Sequence, residues 1–390
     1  LTPERRVGGM DRKAVAQDAF ASVEGELQVV SQWMYDNPEI AMEEYETSAK
    51  LVSFLAGHGF DVEYPAYGLD TAFAARVGSS GPEVVICAEY DALPGVGHAC
   101  GHNIIATAAL GAGAALGGLA DDLGIRVTVL GTPAEEMRGG KVDLIQAGAF
   151  DGAAASMMEH PSPDDVLDPD VLAIRHIDVT FHGRDSHAAF APQIGINALD
   201  AFVQAYVNVS TLRQAFYPKD KVHCIITHGG DAPNIIPSMT KSSWYVRAGT
   251  KARMVELYDK VMACFEGAAT ATGCTFVVEE IGHPYEDRVY NSDLIDLFNT
   301  NITTLGRTMM RATDFEPGAA GSTDMGNVSH VVPAIHPVLG IHAGGYVNHQ
   351  PEFAAHTVTP DGERAIRDGA LAMAWTAIDL AEQDLWDQLR

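Results

Sequence analysis

A chain of 390 residues, 47% hydrophobic and 20% charged, has apolar content for a large core, too much for disorder, and a length that suits about two domains. With 25 basic against 52 acidic residues the formal charge is −27, which repels phosphate backbones and anionic membranes and argues against nucleic acid as a partner. No apolar run approaches the roughly 18–20 residues of a membrane span, so no membrane partner is expected.

The opening "LTPERRVGGMDRKAVAQ" carries no apolar signal region. The expectation is a cytoplasmic protein whose first residues, up to about Met10, are poorly ordered. "AVAQDAFASVEGELQVVSQWMYDNP" and "AMEEYETSAKLVSFLAGHGF" place apolar residues at helical spacing and stop at Pro38 and at Gly57 and Gly59. "TAFAARVG", "EVVICAEYDALP" and "IRVTVLGTPAEE" read as buried strands, with a small-residue helix, "NIIATAALGAGAALGGLADDL", between the last two. Such alternation predicts an α/β sheet flanked by helices, whose ligands gather at the strand ends.

The texture changes near Asp170. From "LAIRHIDVTFHG" to "CTFVVEEIG" the order is strand, helix, strand, strand, helix, strand, which suits a small antiparallel sheet with two helices on one face. After about residue 290 helices and short apolar strands resume and end in "ERAIRDGALAMAWTAIDLAEQDL", so the middle segment reads as an insertion. The five cysteines, Cys87, Cys100, Cys224, Cys264 and Cys274, are odd in number and lie mostly in apolar segments, which argues against a disulfide framework and for a reducing compartment.

Four clusters carry chemistry, and each also has a plain reading. "GHACGHN" sets Cys100 and His102 two apart, with His98 before them; thiolate and imidazole both suit zinc, although the same stretch also reads as a buried thiol with two loop histidines. "GTPAEEMRGG" sets Glu135 beside Glu136 after a strand. Alone this is a solvated acidic pair; beside an ion, one carboxylate binds it while the other takes a proton from the activated water. His160 in "SMMEHP" ends a strand, and "GIHAGGYVNHQPEF" offers His342 or His349, between which nothing local decides. Ligands scattered over so long a stretch do not make a structural zinc knuckle; they point to a catalytic site assembled by the fold.

In order along the chain, "EYDALPGVGHACGHN", "TPAEE", "EHP", "GRDSHAAFAPQIGINALDA", "GGDAPNIIP", "GSTDMGNVSHVVP" and "NHQPEF" resemble the M20 metallopeptidases. Within them the likeness is to the amidohydrolase subfamily and its aminobenzoyl-glutamate hydrolase and beta-alanyl-lysine dipeptidase branch. The resemblance implies a catalytic metal-binding domain over 10–171 and 286–390, a mixed sheet flanked by helices. It also implies an inserted α+β lid and dimerisation domain of βαββαβ order over 172–285. Two divalent ions, zinc or manganese with cobalt as a further candidate, are implied to bind Cys100 in the bridging place, His102, Glu136, His160 and His349. Glu135 is implied as general base, and Asp91 as the residue that orients a ligand; Glu89 stands where many relatives carry Asp.

His187 is implied to reach the partner subunit's site and donate to the developing oxyanion. Asn234 and Arg247 are implied to take the substrate carboxylate, and the turn at Gly321, Ser322, Thr323 and Asp324 to line the same pocket. The function implied is hydrolysis of the amide of an N-acyl or aminoacyl amino acid, a dipeptide or an aminobenzoyl-glutamate-like conjugate, by a homodimer acting on a small substrate with a free carboxylate. Two alternatives stand beside it: a one-metal deacetylase or deacylase of another small metabolite, and a non-catalytic binding protein on the same fold.

Overall fold

Apolar runs such as Val84–Ala88 and Val127–Leu130 are buried on both faces, which is what parallel strands between helical layers require. The computed structural model describes residues 11–314 and 320–389; the N-terminal segment expected to be poorly ordered lies outside the described residues. In chain order the elements begin with helices α1 (Arg12–Asp36) and α2 (Tyr45–Gly57) and strands β1 (Asp61–Glu63), β2 (Phe73–Val77) and β3 (Glu83–Glu89). Next come α3 (His102–Gly117), α4 (Ala120–Leu123), β4 (Arg126–Thr132), α5 (Gly140–Gln146), β5 (Ala153–Met157) and β6 (His160–Ser162). The middle of the chain holds β7 (Ala173–His182), β8 (Ser186–His187), α6 (Ala198–Leu212), β9 (Lys221–His228), β10 (Ile235–Ile236), β11 (Met239–Ala248), α7 (Lys251–Thr272) and β12 (Thr275–Glu280). The last part holds α8 (Ser292–Thr304), α9 (Met325–Ser329), β13 (Ala334–Ile335), β14 (Val338–Gly340), α10 (Pro351–His356) and α11 (Pro360–Gln383).

By their contacts the described residues form two units, one of 11–169, 289–314 and 327–389, the other of 170–288 and 320–326. The first unit is built on a six-stranded mixed sheet of order β1-β2-β4-β3-β5-β13. β4, β3, β5 and β13 are parallel, while β2 joins β4, and β1 joins β2, antiparallel. α3 is apolar all round and is buried along nearly its whole length, packed on the sheet and between α1 and α11. Its small residues allow that close approach. The strand order sends the chain ends of β3, β4 and β5 to the same side of the sheet, where the polar clusters that succeed them in sequence are brought together.

The second unit is a four-stranded antiparallel sheet of order β12-β7-β11-β9 with a separate β8–β10 pair. β11 alternates strictly, burying Thr240, Ser242, Trp244, Val246 and Ala248 on one face. α6 and α7 pack on that face, with Asn197 and Thr250 capping their first turns. The core rests on Trp244, whose ring lies 5.0 Å from Phe265 and 6.0 Å from Phe202, and whose indole N–H donates to Ser242 Oγ at 2.8 Å. Replacing Trp244 with Ala should destabilise this unit by about 3–5 kcal/mol in denaturant unfolding, because it leaves a cavity at the centre of the core. A loss below about 1 kcal/mol would contradict the packing.

Candidate metal centre

The site is assembled just beyond the ends of three parallel strands. β3 ends at Glu89, with Asp91 two residues on; Glu135 and Glu136 come after β4; His160 comes after β5 and itself opens β6, which pairs in parallel with β14. His102 is the first residue of α3, so the loop reading of "GHACGHN" holds only up to Gly101. Gly101 has φ +88°, and a Cβ there would lie 2.3 Å from Pro161 Cγ; only glycine lets this turn lie against the His160 segment. Cys100 Sγ then sits 3.4 Å from His160 Nε2.

A loop far along the chain closes the cluster. His349 N–H donates to Ala99 O at 2.8 Å, and Asn348 Nδ2 donates to the carbonyls of Cys100 at 3.2 Å and Pro161 at 3.1 Å. His349 Nε2 lies 3.6 Å from Glu136 Oε1, with its side chain 58% exposed. His342, the alternative in the same loop, is exposed and pairs with Asp361 at 3.4 Å instead. His98 is buried and belongs to none of the ligand groups found among the described residues. Those groups are Cys100–His102–His160, Cys100–Glu136–His349 and Glu89–His102–Glu135, each with ligand atoms within 4.8 Å of one another.

The proton positions are set by the fixed partners. His160 Nδ1 must donate to Pro161 O at 2.8 Å, because a carbonyl only accepts, so Nε2 turns a lone pair toward Cys100. His102 Nδ1 is 3.0 Å from Asp91 Oδ1, and Asp91 Oδ2 accepts from Glu136 N–H at 3.0 Å. Burial works to raise the Asp91 carboxyl and to lower the His102 imidazole, but their mutual attraction prevails: Asp91 is held below the usual carboxylate range and His102 well above the usual histidine. Burial pushes His160 down to about 4 and His98 down to about 3, so both are neutral. Burial, reinforced by Glu136, pushes the Cys100 thiol well up, and burial also raises Glu136.

Among the described residues, three buried atoms here have no hydrogen-bond partner: Glu89 Oε2, His102 Nε2 and Glu136 Oε1. His102 Nε2 lies 3.4 Å from the first carboxylate and 3.8 Å from the second. Without an ion, the raised His102 turns Nε2–H toward these two carboxylates; a divalent cation takes that proton's place, with Nδ1–H still donated to Asp91 and the Glu89 and Glu136 oxygens converging on it. Thiolate, imidazole and carboxylate donors in that arrangement fit a divalent transition-metal ion.

Two residues that the motifs did not single out also act here. Glu44 is fully buried; its Oε1 accepts from Ala134 N–H at 3.0 Å and its Oε2 from Thr71 Oγ at 2.9 Å. Ala134 has φ +59°, a left-handed conformation in the residue just before Glu135, and Glu44 holds it there. Lys141, also fully buried, donates to Glu89 Oε1. Neither residue carries a local signal, because each partner is distant in sequence.

In the second unit, His187 Nδ1 accepts from the backbone N–H of Ala189 at 3.2 Å and of Phe190 at 3.1 Å, which leaves the proton on Nε2 of this exposed ring. Asn234 is brought beside it, its carbonyl accepting from Ala188 N–H at 2.9 Å. Arg247 donates to Ser322 Oγ at 3.0 Å, and Ser322 donates to Leu172 O at 2.8 Å. Leu172 N–H in turn donates to Gly321 O at 2.9 Å, and Thr323 Oγ accepts from Met325 N–H at 3.2 Å. Burial lowers the Arg247 pKa, and among the described residues no carboxylate pairs with it.

A thiol, imidazoles and carboxylates gathered at the strand ends of a mixed α/β sheet equip a metal-dependent amidohydrolase. Comparison with known proteins agrees. The model of Peptidase family M20/M25/M40 matches residues 85–372. The Xaa-Arg dipeptidase of Mus musculus is 40% identical over 91% of this chain and 85% of that protein. A p-aminobenzoyl-glutamate hydrolase chain of Escherichia coli is 31% identical over 63% of this chain and 56% of that protein. Among solved structures, a dinuclear metal binding peptidase of the M20 family from Bacillus subtilis superposes with a TM-score of 0.71 at 20% identity, covering 93% of this chain and 99% of that one. The chain belongs to Peptidase family M20/M25/M40 and is a metal-dependent hydrolase of amide bonds.

Burial, reinforced by Asp91, raises the Glu44 carboxyl to about 7 from an ordinary 4.5. A raised carboxyl favours the folded state while protonated; that contribution is complete below about pH 4.5 and lost as pH rises through 7. Glu44→Gln keeps the shape and removes the titration. Its unfolding free energy relative to wild type should therefore rise across that range by up to about 3 kcal/mol, measured in urea with a chelator present. A difference that stays constant with pH would contradict this.

Proposed function

We propose that this amidohydrolase cleaves dipeptides and N-acyl amino acids whose released amino acid carries a free carboxylate, as a cytoplasmic homodimer with two divalent ions, zinc or manganese, in each site. The observation that carries the reading is the set of converging, unpartnered buried acceptors around His102, beside a second carboxylate, Glu135. We assign Cys100, His102, Glu136, His160 and His349 to hold the ions, which when bound polarise the amide carbonyl and acidify the attacking water. Asp91 orients His102 through Nδ1 and, by accepting from Glu136 N–H, fixes the backbone next to Glu135. Glu135, held after the left-handed Ala134, takes the water proton on its carboxylate and delivers it to the leaving amine.

His187, with its tautomer set by two backbone donors, offers Nε2–H to the carbonyl oxygen as it gains charge, and does so for the partner subunit's site. The half-buried Arg247, with Ser322 beside it, takes the substrate carboxylate; Asn234, Gly321 and Thr323 complete the polar lining. The Xaa-Arg dipeptidase relative and the chain's net charge of −27 support dipeptides ending in a basic residue as the first members of a substrate panel.

The lid role belongs to the inserted unit, as does the dimer contact. β9 is an edge strand with Ile225 and Ile226 exposed at 65% and 45%, and α6 exposes Val203, Tyr206 and Val207 at helical spacing. Among the described residues none of the five cysteines is in a disulfide, which accords with a reducing compartment, and no helix there is long and apolar enough to cross a membrane.

Metal-loaded protein should hydrolyse members of a panel of dipeptides, N-acyl amino acids and aminobenzoyl-glutamate; failure on every member would overturn the reading. Glu135→Gln should keep its metal content and lose at least about 100-fold in kcat. Full activity would remove Glu135 as the base. His187→Ala should lose a similar factor and regain part of it in heterodimers with Glu135→Gln. Absence of rescue in verified heterodimers would contradict action in trans.

A further inference from the structure

Glu89 ends β3 with its side chain fully buried, a place where a carboxylate is costly unless it is compensated on both oxygens. Only one is compensated within the described chain. Lys141 Nζ donates to Oε1, delivered there by the start of α5. A Cβ on Gly140 would lie 2.0 Å from Pro133 O, so this turn packs directly against the loop leading to Glu135 and Glu136, and Lys141 enters the interior at that point. Oε2 has no hydrogen-bond partner and faces His102 Nε2, also unpartnered, at 3.4 Å. A buried carboxylate that serves the fold alone is ordinarily hydrogen-bonded on both oxygens. Glu89, His102 and Glu135 present ligand atoms within 4.8 Å of one another, and all three are buried.

We propose that Glu89, gripped by Lys141 on one oxygen, presents the other as a further ligand to the metal centre, beyond the Cys, His and Glu positions already assigned. The inference rests on the metal-centre reading of the proposed function. With Oε1 committed to the ammonium group, Glu89 binds through a single oxygen. Lys141 also offsets one negative charge of a carboxylate-rich pocket without occupying a ligand position.

The test is cobalt(II) loading of the apoprotein, read by its visible ligand-field spectrum, with zinc affinity measured against a competing chelator. Glu89→Gln should change the cobalt spectrum and weaken zinc binding by about 10–100-fold. If that variant does not fold, the paired replacement Glu89→Leu with Lys141→Met removes both charges together and is read in the same way. An unchanged cobalt spectrum in a folded variant would overturn the ligand assignment while leaving the metal centre standing. A wild-type protein that takes up no cobalt or zinc would overturn the metal-centre reading and this inference with it.

Discussion

The first unit is organised around a repulsion. Glu89, Asp91, Glu135, Glu136 and Cys100 are all buried or nearly so, and they converge on His102, whose Nδ1 is held by Asp91. In a medium of low dielectric such a concentration of acceptors is unfavourable by several kcal/mol for each uncompensated charge. Two devices within the chain relieve part of it: the Asp91–His102 pair and the Glu89–Lys141 pair. What remains are the unpartnered oxygens of Glu89 and Glu136 beside His102 Nε2, and a divalent cation is the species that satisfies them. α3, which begins at His102, lies between the sheet and two long helices.

The surrounding backbone holds soft and hard donors at close range. Gly101 lets the Cys100 turn lie against Pro161, Asn348 ties the distal loop to both, and Glu44 keeps Ala134 left-handed. The inserted unit has a different character. Its sheet faces its helices with mostly apolar residues, and its proposed functional groups, His187 and Arg247, are exposed or half-buried and set by local contacts.

Most of the strands and long helices were legible because their signals are local. The apolar runs of β3 and β4, the alternation of β11 and the spacing of α1 and α11 are written in consecutive residues. The order of motifs likewise brought out the ligand candidates. The features that were not legible depend on partners far apart in sequence. His342 and His349 share a glycine-rich loop and both have positive φ, so their distant partners tell them apart: His349 N–H bonds Ala99 O and its ring lies near Glu136, while His342 pairs with Asp361. Glu44 meets Ala134 across 90 residues and Lys141 meets Glu89 across 52, distances at which no spacing rule operates. The helical start at His102 was hidden for another reason: Gly101 precedes it without a side-chain cap, so the usual capping signal is missing.

The central claim is that Cys100 and its neighbours form a metal centre with a thiolate ligand, and X-ray absorption at the zinc edge tests it most directly. Zinc-loaded wild-type protein should show a sulfur shell at about 2.3 Å alongside nitrogen and oxygen at about 2.0–2.2 Å. The sulfur shell should vanish in Cys100→Ser. A wild-type spectrum with nitrogen and oxygen only, or a sulfur shell that survives the substitution, would contradict the account.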